Sequence, residues 1–358
     1  MKTMLSPAFK ENNIPIVFST NESFVPVLSV MLQSVIENSS EKNNYDIIIL
    51  SQDISKEYSD RLHKMVEGQS NFSIRIFNVS NLLDGYSLYI ENRPDITVET
   101  YFRLLMPDLL GDYAKAIYLD GDMIANADIA DLYKINLEGY LVASSIDCDS
   151  IGRYHLPEPE IKEYRDKVLK LRHPDEYFCA GMLVLNLDEF RRTMSSHDLL
   201  EFASSYPWKQ HDQDVLNVIC QGKTKLISPA WDVLRDAGNN KYMPKHLYQE
   251  YLLAENHPKI IHYGGRRKPW IYLDVERGQY FWKYVGKTPF YKEILSLVDS
   301  ANISRYPQSV LPQGQKNYTE SSAKDFVLQQ FSQGKIGFRY VIKYLLAWMK
   351  YKIKHPLS

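Results

Sequence analysis

The first eighty residues alternate between short apolar runs and amphipathic segments, and this alternation constrains the fold more than any other feature. Strands are predicted at 14–19, 45–50 and 73–78, and helices at 24–36 and 55–67. Ser55 is a residue type that caps helix N-termini, which supports the start of the second helix. The β-α-β-α-β order predicts an α/β fold in which helices flank a parallel sheet. Because no Gly-x-Gly-x-x-Gly follows the first strand, an ordinary dinucleotide-binding fold is not favoured.

The alternation continues with shorter segments. Further strands are predicted at 116–119, 141–146, 180–187 and 259–262, and further helices at 97–106, 128–133, 162–171 and from 211 onward. The helix at 97–106 is expected to stop before Pro107, since proline disrupts a helix interior. Apart from its one helix, 148–177 is expected to be loop-like because it is polar and contains three prolines.

Beyond about Tyr284 the periodic pattern weakens. Residues 301–324 are rich in Ser, Pro, Gln and Asn, a composition typical of a linker. We therefore predict a main domain at 14–285, a peripheral segment and linker at 286–334, and a separate tail at 335–358.

A predicted buried strand, 116–119, leads directly into Asp120-Gly121-Asp122, and a second apolar run follows. In an extended backbone, residues i and i+2 point to the same face, so both carboxylates can converge on one cation. Adjacent carboxylates repel each other unless a divalent ion neutralises them, and oxygen ligands suit magnesium or manganese. A solvated turn is the alternative interpretation, because Asp-Gly is also a strong hairpin signal.

The overall composition excludes several protein classes. The chain has 358 residues, 44% hydrophobic and 24% charged, which is typical of a globular protein with a sizeable core. Its three cysteines, Cys148, Cys179 and Cys220, have neither disulfide-framework nor zinc-motif spacing, so we expect a cytoplasmic protein. The pattern also leads us to expect neither a signal peptide nor a transmembrane helix. Basic residues are concentrated in the tail rather than on one face, so no nucleic-acid partner is expected.

Several other segments carry polar groups suited to a phosphorylated ligand. The first strand ends in the polar turn 19–24, at the sheet edge where α/β folds bind ligands. Arg103 can clasp a phosphate group. The segment 261–270 offers His262 as a third metal ligand, two glycines for close backbone approach, and Lys268 for phosphate charge. Three further segments are candidates for the same site: Asp147 at the end of a predicted strand, the turn 177–181, and residues 211–214, which open a predicted helix.

Four motifs follow one another in a consistent order. They are Tyr-Leu-Asp-x-Asp, Phe-x-Ala-Gly-x-Leu-x-x-Asn-Leu, Asp-Gln-Asp and His-Tyr-x-Gly-x-x-Lys-Pro-Trp. Over residues 14–270 the chain thereby resembles the retaining glycosyltransferase family 8, which includes bacterial lipooligosaccharide and lipopolysaccharide galactosyl- and glucosyltransferases, and glycogenin. The resemblance implies a GT-A fold, with a Rossmann-like mixed sheet flanked by helices, and transfer from a UDP-sugar that depends on Mn²⁺, with Mg²⁺ as the alternative.

The resemblance also implies roles for individual residues. Asp120, Asp122 and His262 would hold the metal, and Gly121 lies between the two aspartates. Gly265 and Lys268 would contact the phosphates; Ser19, Asn21 and Phe24 the uridine; Arg103 and Asp147 the donor sugar. Asp212 and Gln213 would lie beside the reacting centre, so Asp147, Asp212 and Gln213 are the predicted catalytic residues.

Two positions depart from the family pattern. Many relatives carry aspartate where this chain has Asn21, so the contact with the base must differ in detail. Cys179 stands where the family usually carries asparagine beside the donor sugar, and a thiol is a weaker hydrogen-bonding group than a carboxamide. The alternative is that Cys179 is simply a small buried hydrophobic residue.

The last two dozen residues are basic and aromatic. Six Lys and Arg residues lie between Lys335 and Lys354 without any acidic residue, and they are interleaved with Phe338, Tyr340, Tyr344 and Trp348. This pattern predicts an amphipathic helix on the inner face of the cytoplasmic membrane, although a helix packed on the protein's own body has the same pattern.

We therefore expect a hexosyltransferase that uses UDP-galactose or UDP-glucose and a glycan or glycolipid acceptor, such as lipopolysaccharide. A self-glycosylating initiator or protein O-glycosyltransferase is the alternative within the same fold. A non-catalytic nucleotide-sugar-binding module is a third interpretation, but the intact aspartate pair, His262 and Lys268 count against it.

Overall fold

The computed structural model describes residues 5–91, 96–157, 159–235 and 237–302. The chain divides into two compact units, 1–262 and 263–358, and the second is described as far as Asn302. The predicted tail lies outside the described residues. No helix within the described ranges is both long enough and apolar enough to cross a membrane.

Ten short strands are assigned among the described residues. They are β1 (Asn13–Ser19), β2 (Asn44–Ser51), β3 (Phe72–Asn78), β4 (Lys115–Leu119), β5 (Met123–Ala125), β6 (Val142–Ser144), β7 (Met182–Asn186), β8 (Thr224–Leu226), β9 (Val233–Leu234) and β10 (Ile260–His262).

Twelve α-helices are assigned within the described ranges. They are α1 (Val25–Asn38), α2 (Lys56–Lys64), α3 (Met106–Leu109), α4 (Ala130–Tyr133), α5 (Cys148–Tyr154), α6 (Pro159–Glu163), α7 (Leu187–Thr193), α8 (Ser196–Ser204), α9 (His211–Ile219), α10 (Lys245–Asn256), α11 (Gly278–Val285) and α12 (Tyr291–Asn302). Val98–Leu105 forms a 3₁₀ helix, and Tyr164–Leu169 forms a π-helix.

Seven of the described strands form one mixed sheet in the order β3-β2-β1-β4-β7-β6-β8. Strands β1, β2, β3 and β4 are mutually parallel, and β7 runs antiparallel to both of its neighbours. Residues 47–50 of β2 are completely buried, as expected for a central parallel strand covered on both faces. The predicted α/β fold with a mixed, helix-flanked sheet is confirmed.

A second sheet of three described strands, in the order β5-β10-β9, lies beyond the carboxyl end of β4. Asp120 and Asp122 lie in the turn between β4 and β5, where the chain passes from the large sheet to the small one. The predicted strand 116–119 is confirmed as β4. The two aspartates lie in a turn rather than in extended backbone, and this turn is not a hairpin, because β4 and β5 do not pair with each other.

Some segments differ from the prediction in detail. The predicted helix at 97–106 is the 3₁₀ helix Val98–Leu105, which stops before Pro107 as expected, and Pro107 lies in the first turn of the following α3, where its missing N–H has no helical partner to lose. Within the loop-like stretch 148–177, α5 forms because the Asp147 side chain caps it, accepting a hydrogen bond of 2.8 Å from the backbone N–H of Ser150. Beyond Tyr284, where the pattern weakens, the chain still forms α12.

Candidate active site

The predicted site residues of the first unit meet at one edge of the large sheet. Ser19 ends β1, Asp120 follows β4, and Asp147 follows β6, so all three lie at the carboxyl ends of parallel strands. The 179–181 turn precedes the antiparallel β7 and reaches the same edge, where Asp120 N donates to Gly181 O at 2.8 Å. This is the edge at which open α/β sheets bind their ligands.

Asp120, Asp122 and His262 form a compact group of potential metal ligands. His262 Nε2 is 3.3 Å from Asp122 Oδ1 and 4.0 Å from Asp120 Oδ2. The small sheet creates this proximity, because His262 at the end of β10 pairs with Met123, which directly follows Asp122. The predicted third ligand is thus brought to the predicted pair.

The other nitrogen of the His262 ring faces a carboxylate that the sequence analysis missed. Nδ1 is 3.0 Å from Asp232 Oδ1, and both side chains are buried. A neutral ring with its proton on Nδ1 donates to Asp232 and leaves the Nε2 lone pair for a cation, whereas a protonated ring donates to both Asp232 and Asp122. Burial lowers the pKa of His262, but the charges of Asp232 and Asp122 outweigh it and raise the pKa well above its ordinary value.

Arg103 lies between two of the acidic residues. Its guanidinium is 2.9 Å from Asp120 Oδ1 and 2.9 Å from Asp212 Oδ2, donates to the carbonyl of Ala180, and stacks over Tyr118 at 4.1 Å from the ring centroid. The side chain is buried and its charge is matched by these carboxylates. Arg103 therefore anchors Asp120 in place, and its predicted contact with a donor sugar stays a prediction.

Asp212 is 3% exposed at the start of α9. Burial raises its pKa to about 6, although the nearby Arg103 and a hydrogen bond from the Thr100 hydroxyl act in the opposite direction. Thr100 belongs to the 3₁₀ helix that also carries Arg103, so one short element holds both partners of this carboxylate.

Gln213 connects the 179–181 turn to Asp147. Its Oε1 accepts from the backbone N–H of Ala180 at 2.9 Å, and its Nε2 donates to Asp147 Oδ2 at 2.8 Å. Asp147 is buried, and burial raises its pKa. The three predicted catalytic residues of the sequence analysis, Asp147, Asp212 and Gln213, are thus brought to the same edge as the aspartate pair.

Gly181 is required by the close approach of three site elements. A Cβ at this position would lie 2.6 Å from His262 Cε1 and 2.9 Å from both Asp120 Oδ2 and Met123 Cε. The glycine of the Phe-x-Ala-Gly motif therefore lets the turn pass directly beside the ligand group.

The predicted uridine-binding residues have partly structural roles. The Asn21 side chain accepts from the backbone N–H of Phe24 at 3.1 Å and from Ser23 Oγ at 2.7 Å, so it caps the 3₁₀ turn before α1. The Phe24 ring packs against Gly121, where an added Cβ would lie 3.1 Å from Phe24 Cε1. This contact joins the predicted uridine loop to the aspartate turn.

Gly265 and Lys268 lie in the second unit. Gly265 has a φ of +74°, a conformation that favours glycine, and Lys268 Nζ donates to the carbonyl of Tyr263 at 2.7 Å. Their predicted contact with phosphates stays a prediction.

Two residues of the site have no signal in the sequence. Asp232 follows a Pro-Ala-Trp segment, and nothing in that segment separates it from other aspartates. Thr100 is equally inconspicuous. Both become recognisable only because the structure places them against His262 and Asp212.

The donor set fits a divalent cation. The ligand atoms of Asp120, Asp122 and His262 lie within 4.8 Å of one another, and the aspartate side chains are 27% and 14% exposed, so a cation can reach them from solvent. Two carboxylate oxygens and an imidazole nitrogen are ligands that magnesium- and manganese-type sites accept.

A mixed sheet of this order, with paired aspartates at its carboxyl edge, defines a GT-A glycosyltransferase. The chain belongs to glycosyl transferase family 8, whose sequence profile matches residues 15–274. The resemblance seen in the four motifs is thereby confirmed.

Similar proteins come from several bacteria. Glycosyltransferase GlyF of Streptococcus pneumoniae serotype 4 is 26% identical over 271 residues, which cover 75% of this chain and 60% of GlyF. General stress protein A of Bacillus subtilis is 23% identical over 269 residues, covering 73% of this chain and 88% of that protein.

Solved structures show the same fold. The bifunctional glycosyltransferase WbbM, in its apo form, superposes with a TM-score of 0.73 at 26% identity, covering 83% of this chain and 53% of WbbM. The galactosyltransferase LgtC, solved with donor and acceptor sugar analogs, superposes with a TM-score of 0.59 at 22% identity, covering 82% of this chain and 98% of LgtC. This chain thus spans about half the length of WbbM.

Proposed function

We propose that this glycosyltransferase transfers galactose or glucose from a UDP-sugar to a glycan acceptor, with retention of the anomeric configuration. The observation that carries the proposal is the convergence of Asp120, Asp122 and His262 at the sheet edge that also carries Asp147, Asp212 and Gln213. The likeness to LgtC supports a hexose donor, since LgtC is a galactosyltransferase whose structure was solved with donor and acceptor sugar analogs.

In this proposal, Asp120, Asp122 and His262 hold Mn²⁺ or Mg²⁺, which when bound stabilises the negative charge that develops on the departing UDP. The buried Arg103 keeps Asp120 oriented through a 2.9 Å ion pair. Gln213 and Asp147 hold each other and the 179–181 turn in one arrangement, so the acceptor and the donor sugar meet a preformed edge.

The carboxylates near the reacting edge support transfer on the same face of the sugar. Asp147 is occupied by the N–H of Ser150 and by Gln213, and Asp212 by Thr100 and Arg103. Gln213 is a poor nucleophile. We therefore favour departure of UDP from the face that the acceptor hydroxyl enters, with the leaving phosphate assisting, over a covalent double displacement.

We also propose that the acceptor is a lipid-linked bacterial surface glycan, such as lipopolysaccharide, and that the protein works at the inner face of the cytoplasmic membrane. The support is the basic aromatic tail of the sequence, which suits an anionic surface.

A donor screen tests the proposal. UDP release is measured from a panel of UDP-sugars with Mn²⁺ present, and we expect turnover with UDP-galactose or UDP-glucose. Asp120→Asn or Asp122→Asn should abolish turnover, as should EDTA, and added Mn²⁺ should restore the chelated wild type. Asp60→Asn, in an exposed Lys56–Asp60 pair on α2, is the matched control and should stay active.

Two outcomes would contradict the proposal. Full activity in EDTA would disprove the metal requirement. A β-linked product from an α-linked UDP-sugar, determined by NMR of the product linkage, would disprove retention of the anomeric configuration.

A further inference from the structure

A second group of potential metal ligands lies on the other side of the His262 ring. Cys179 Sγ is 3.8 Å from His262 Nδ1, and Asp232 Oδ1 is 3.0 Å from the same nitrogen. The ligand atoms of these three residues lie within 4.8 Å of one another. The residues are 5%, 1% and 6% exposed in the order Cys179, Asp232, His262, so the group is far less accessible than the aspartate pair.

One oxygen of this group has no partner. Asp232 Oδ2 is buried and accepts no hydrogen bond within the part of the chain that the structure describes. A buried carboxylate oxygen without a donor is destabilising, and such atoms in folded proteins call for a bound water or ion. This is an observation independent of the cysteine, and it favours a positively charged ligand.

We propose that Cys179, Asp232 and His262 Nδ1 form a binding site for a thiophilic divalent cation, with Zn²⁺ as the ion and water as the fourth ligand. Thiolate, imidazole and carboxylate are the ligands of protein zinc sites. Zinc–ligand distances of about 2.0–2.3 Å separate neighbouring tetrahedral ligands by about 3.3–3.6 Å. The observed separations of 3.0 and 3.8 Å lie on either side of that range, so small side-chain shifts complete the geometry.

Zinc at this site fixes the ring proton of His262 on Nε2. Binding releases the thiol proton of Cys179 and the Nδ1 proton of the ring to solvent, and the proton on Nε2 stays. A neutral imidazole offers one lone pair, so Nε2 then donates towards Asp122 instead of ligating a cation there. Zinc is therefore an inhibitor that competes for His262 with the cation of Asp120 and Asp122; this consequence rests on the proposed function.

The site also accounts for an unexplained feature of the sequence. Cys179 stands where the family usually carries asparagine. Its thiol lies 3.8 Å from His262 Nδ1, and a thiolate binds a soft metal, which a carboxamide does not.

Cobalt(II) provides a direct test, because it occupies zinc sites and its bond to a thiolate gives a charge-transfer absorption band. Metal-free protein is titrated with Co²⁺ and then with Zn²⁺, which should displace the cobalt and remove the band. We expect the band in the wild type, in Asp122→Asn and in Cys220→Ser, a control at another buried cysteine. It should be absent in Cys179→Ser. Loss of an outer-shell partner already weakens metal binding by about 10–100-fold, so Asp232→Asn should weaken Co²⁺ binding by at least tenfold.

The spectra alone decide the site. A wild type without the thiolate band would overturn the proposal, and so would a band that persists in Cys179→Ser. Should Cys179→Ser not fold, as judged by circular dichroism, the Asp232→Asn titration decides instead, and unchanged Co²⁺ affinity there counts against the site.

An activity measurement tests the inhibition separately. With Mn²⁺ saturating, half-inhibition of UDP release, relative to each variant's own rate, should need about tenfold more zinc or above in Cys179→Ser than in Cys220→Ser. Equal zinc sensitivity would overturn the shared-ring mechanism. A protein that shows the thiolate band but releases no UDP from any donor would keep the zinc site and disprove the proposed function.

Discussion

At the scale of single residues, the site depends on acidic side chains whose charges are matched within a buried edge. His262 has a carboxylate at each ring nitrogen, and Arg103 has one at each end of its guanidinium. The ion pair with Arg103 does not fully compensate the burial of the Asp212 carboxylate, because the pKa of Asp212 rises to about 6 even though Arg103 lies 2.9 Å away. Its ionisation should therefore be visible in the stability of the protein.

We predict that Asp212 makes stability fall as pH rises. Its pKa is about 6 in the folded protein and 3.8 ordinarily, so between these values the folded state binds more protons than the unfolded state. The stabilisation from protonation is complete below pH 3.8, is lost as pH rises towards 6, and amounts to about 3 kcal/mol. The free energy of unfolding of the wild type minus that of Asp212→Asn should decrease by up to this amount from pH 4 to pH 7.

Urea unfolding in EDTA at several pH values measures this difference. Asp60→Asn serves as the control, because the Lys56 hydrogen bond lowers the pKa of the exposed Asp60 and therefore gives no such decrease. A difference between the wild type and Asp212→Asn that does not change with pH would show that Asp212 is ionised as readily in the folded as in the unfolded protein.

At the scale of elements, α9 is positioned by a buried carboxylate in its own first turn. Asp214 is completely buried and accepts from Tyr164 Oη at 2.8 Å, Tyr177 Oη at 2.7 Å and the N–H of Gln210 at 2.8 Å. These bonds connect α9 to the π-helix and to the segment that leads into the 179–181 turn. The placement of the residues at the start of α9 therefore depends on Asp214.

We predict that Tyr177→Phe lowers the free energy of unfolding by about 1.5–3 kcal/mol, the usual contribution of a hydrogen bond to a charged group. Tyr206→Phe is the control, since Tyr206 is 40% exposed, and it should change stability by less than about 0.5 kcal/mol. Denaturant unfolding of both variants makes the comparison. Equal stabilities would show that the Asp214 network does not hold α9 in place.

At the scale of the whole molecule, residues 15–274 carry the match to glycosyl transferase family 8. The proposed lipid-linked acceptor depends on another part of the sequence. The tail from 335 onward is the part of the sequence that bears on a lipid-linked acceptor. Each basic residue near an anionic leaflet contributes on the order of 1 kcal/mol, so six of them can hold the protein at a membrane reversibly.

We predict that the full chain sediments with anionic liposomes at low salt and is released at high salt, because screening weakens the attraction. Truncation after Ser332 should weaken sedimentation while hydrolysis of the UDP-sugar stays near the rate of the full chain. Replacing the six basic residues by glutamine should have the same effect as truncation. If the full chain does not bind anionic liposomes at low salt, the lipid-linked acceptor loses its main physical support.

The sequence by itself determined the elements whose pattern is local and the residues that stand in recognisable motifs. The strands β1 and β2 follow from apolar runs, β3 follows from its alternating pattern, and the helices between them follow from helical spacing and a capping Ser55. Asp120, Asp122 and His262 were recognised because their motifs occur in a consistent order.

Only the tertiary structure decided how distant segments pair. The small sheet sets β5, β9 and β10 side by side, and this pairing brings Asp232 to the His262 ring, whereas Cys179 reaches the ring from the turn before β7 of the large sheet. The sequence predicted the strand that became β10, but β5 and β9 have only three and two residues and carry no periodicity, so no local pattern shows which strands β10 pairs with. The partners of His262 are separated from it by 30 and 83 residues, and no property of either neighbourhood records a contact that forms only when the chain has folded.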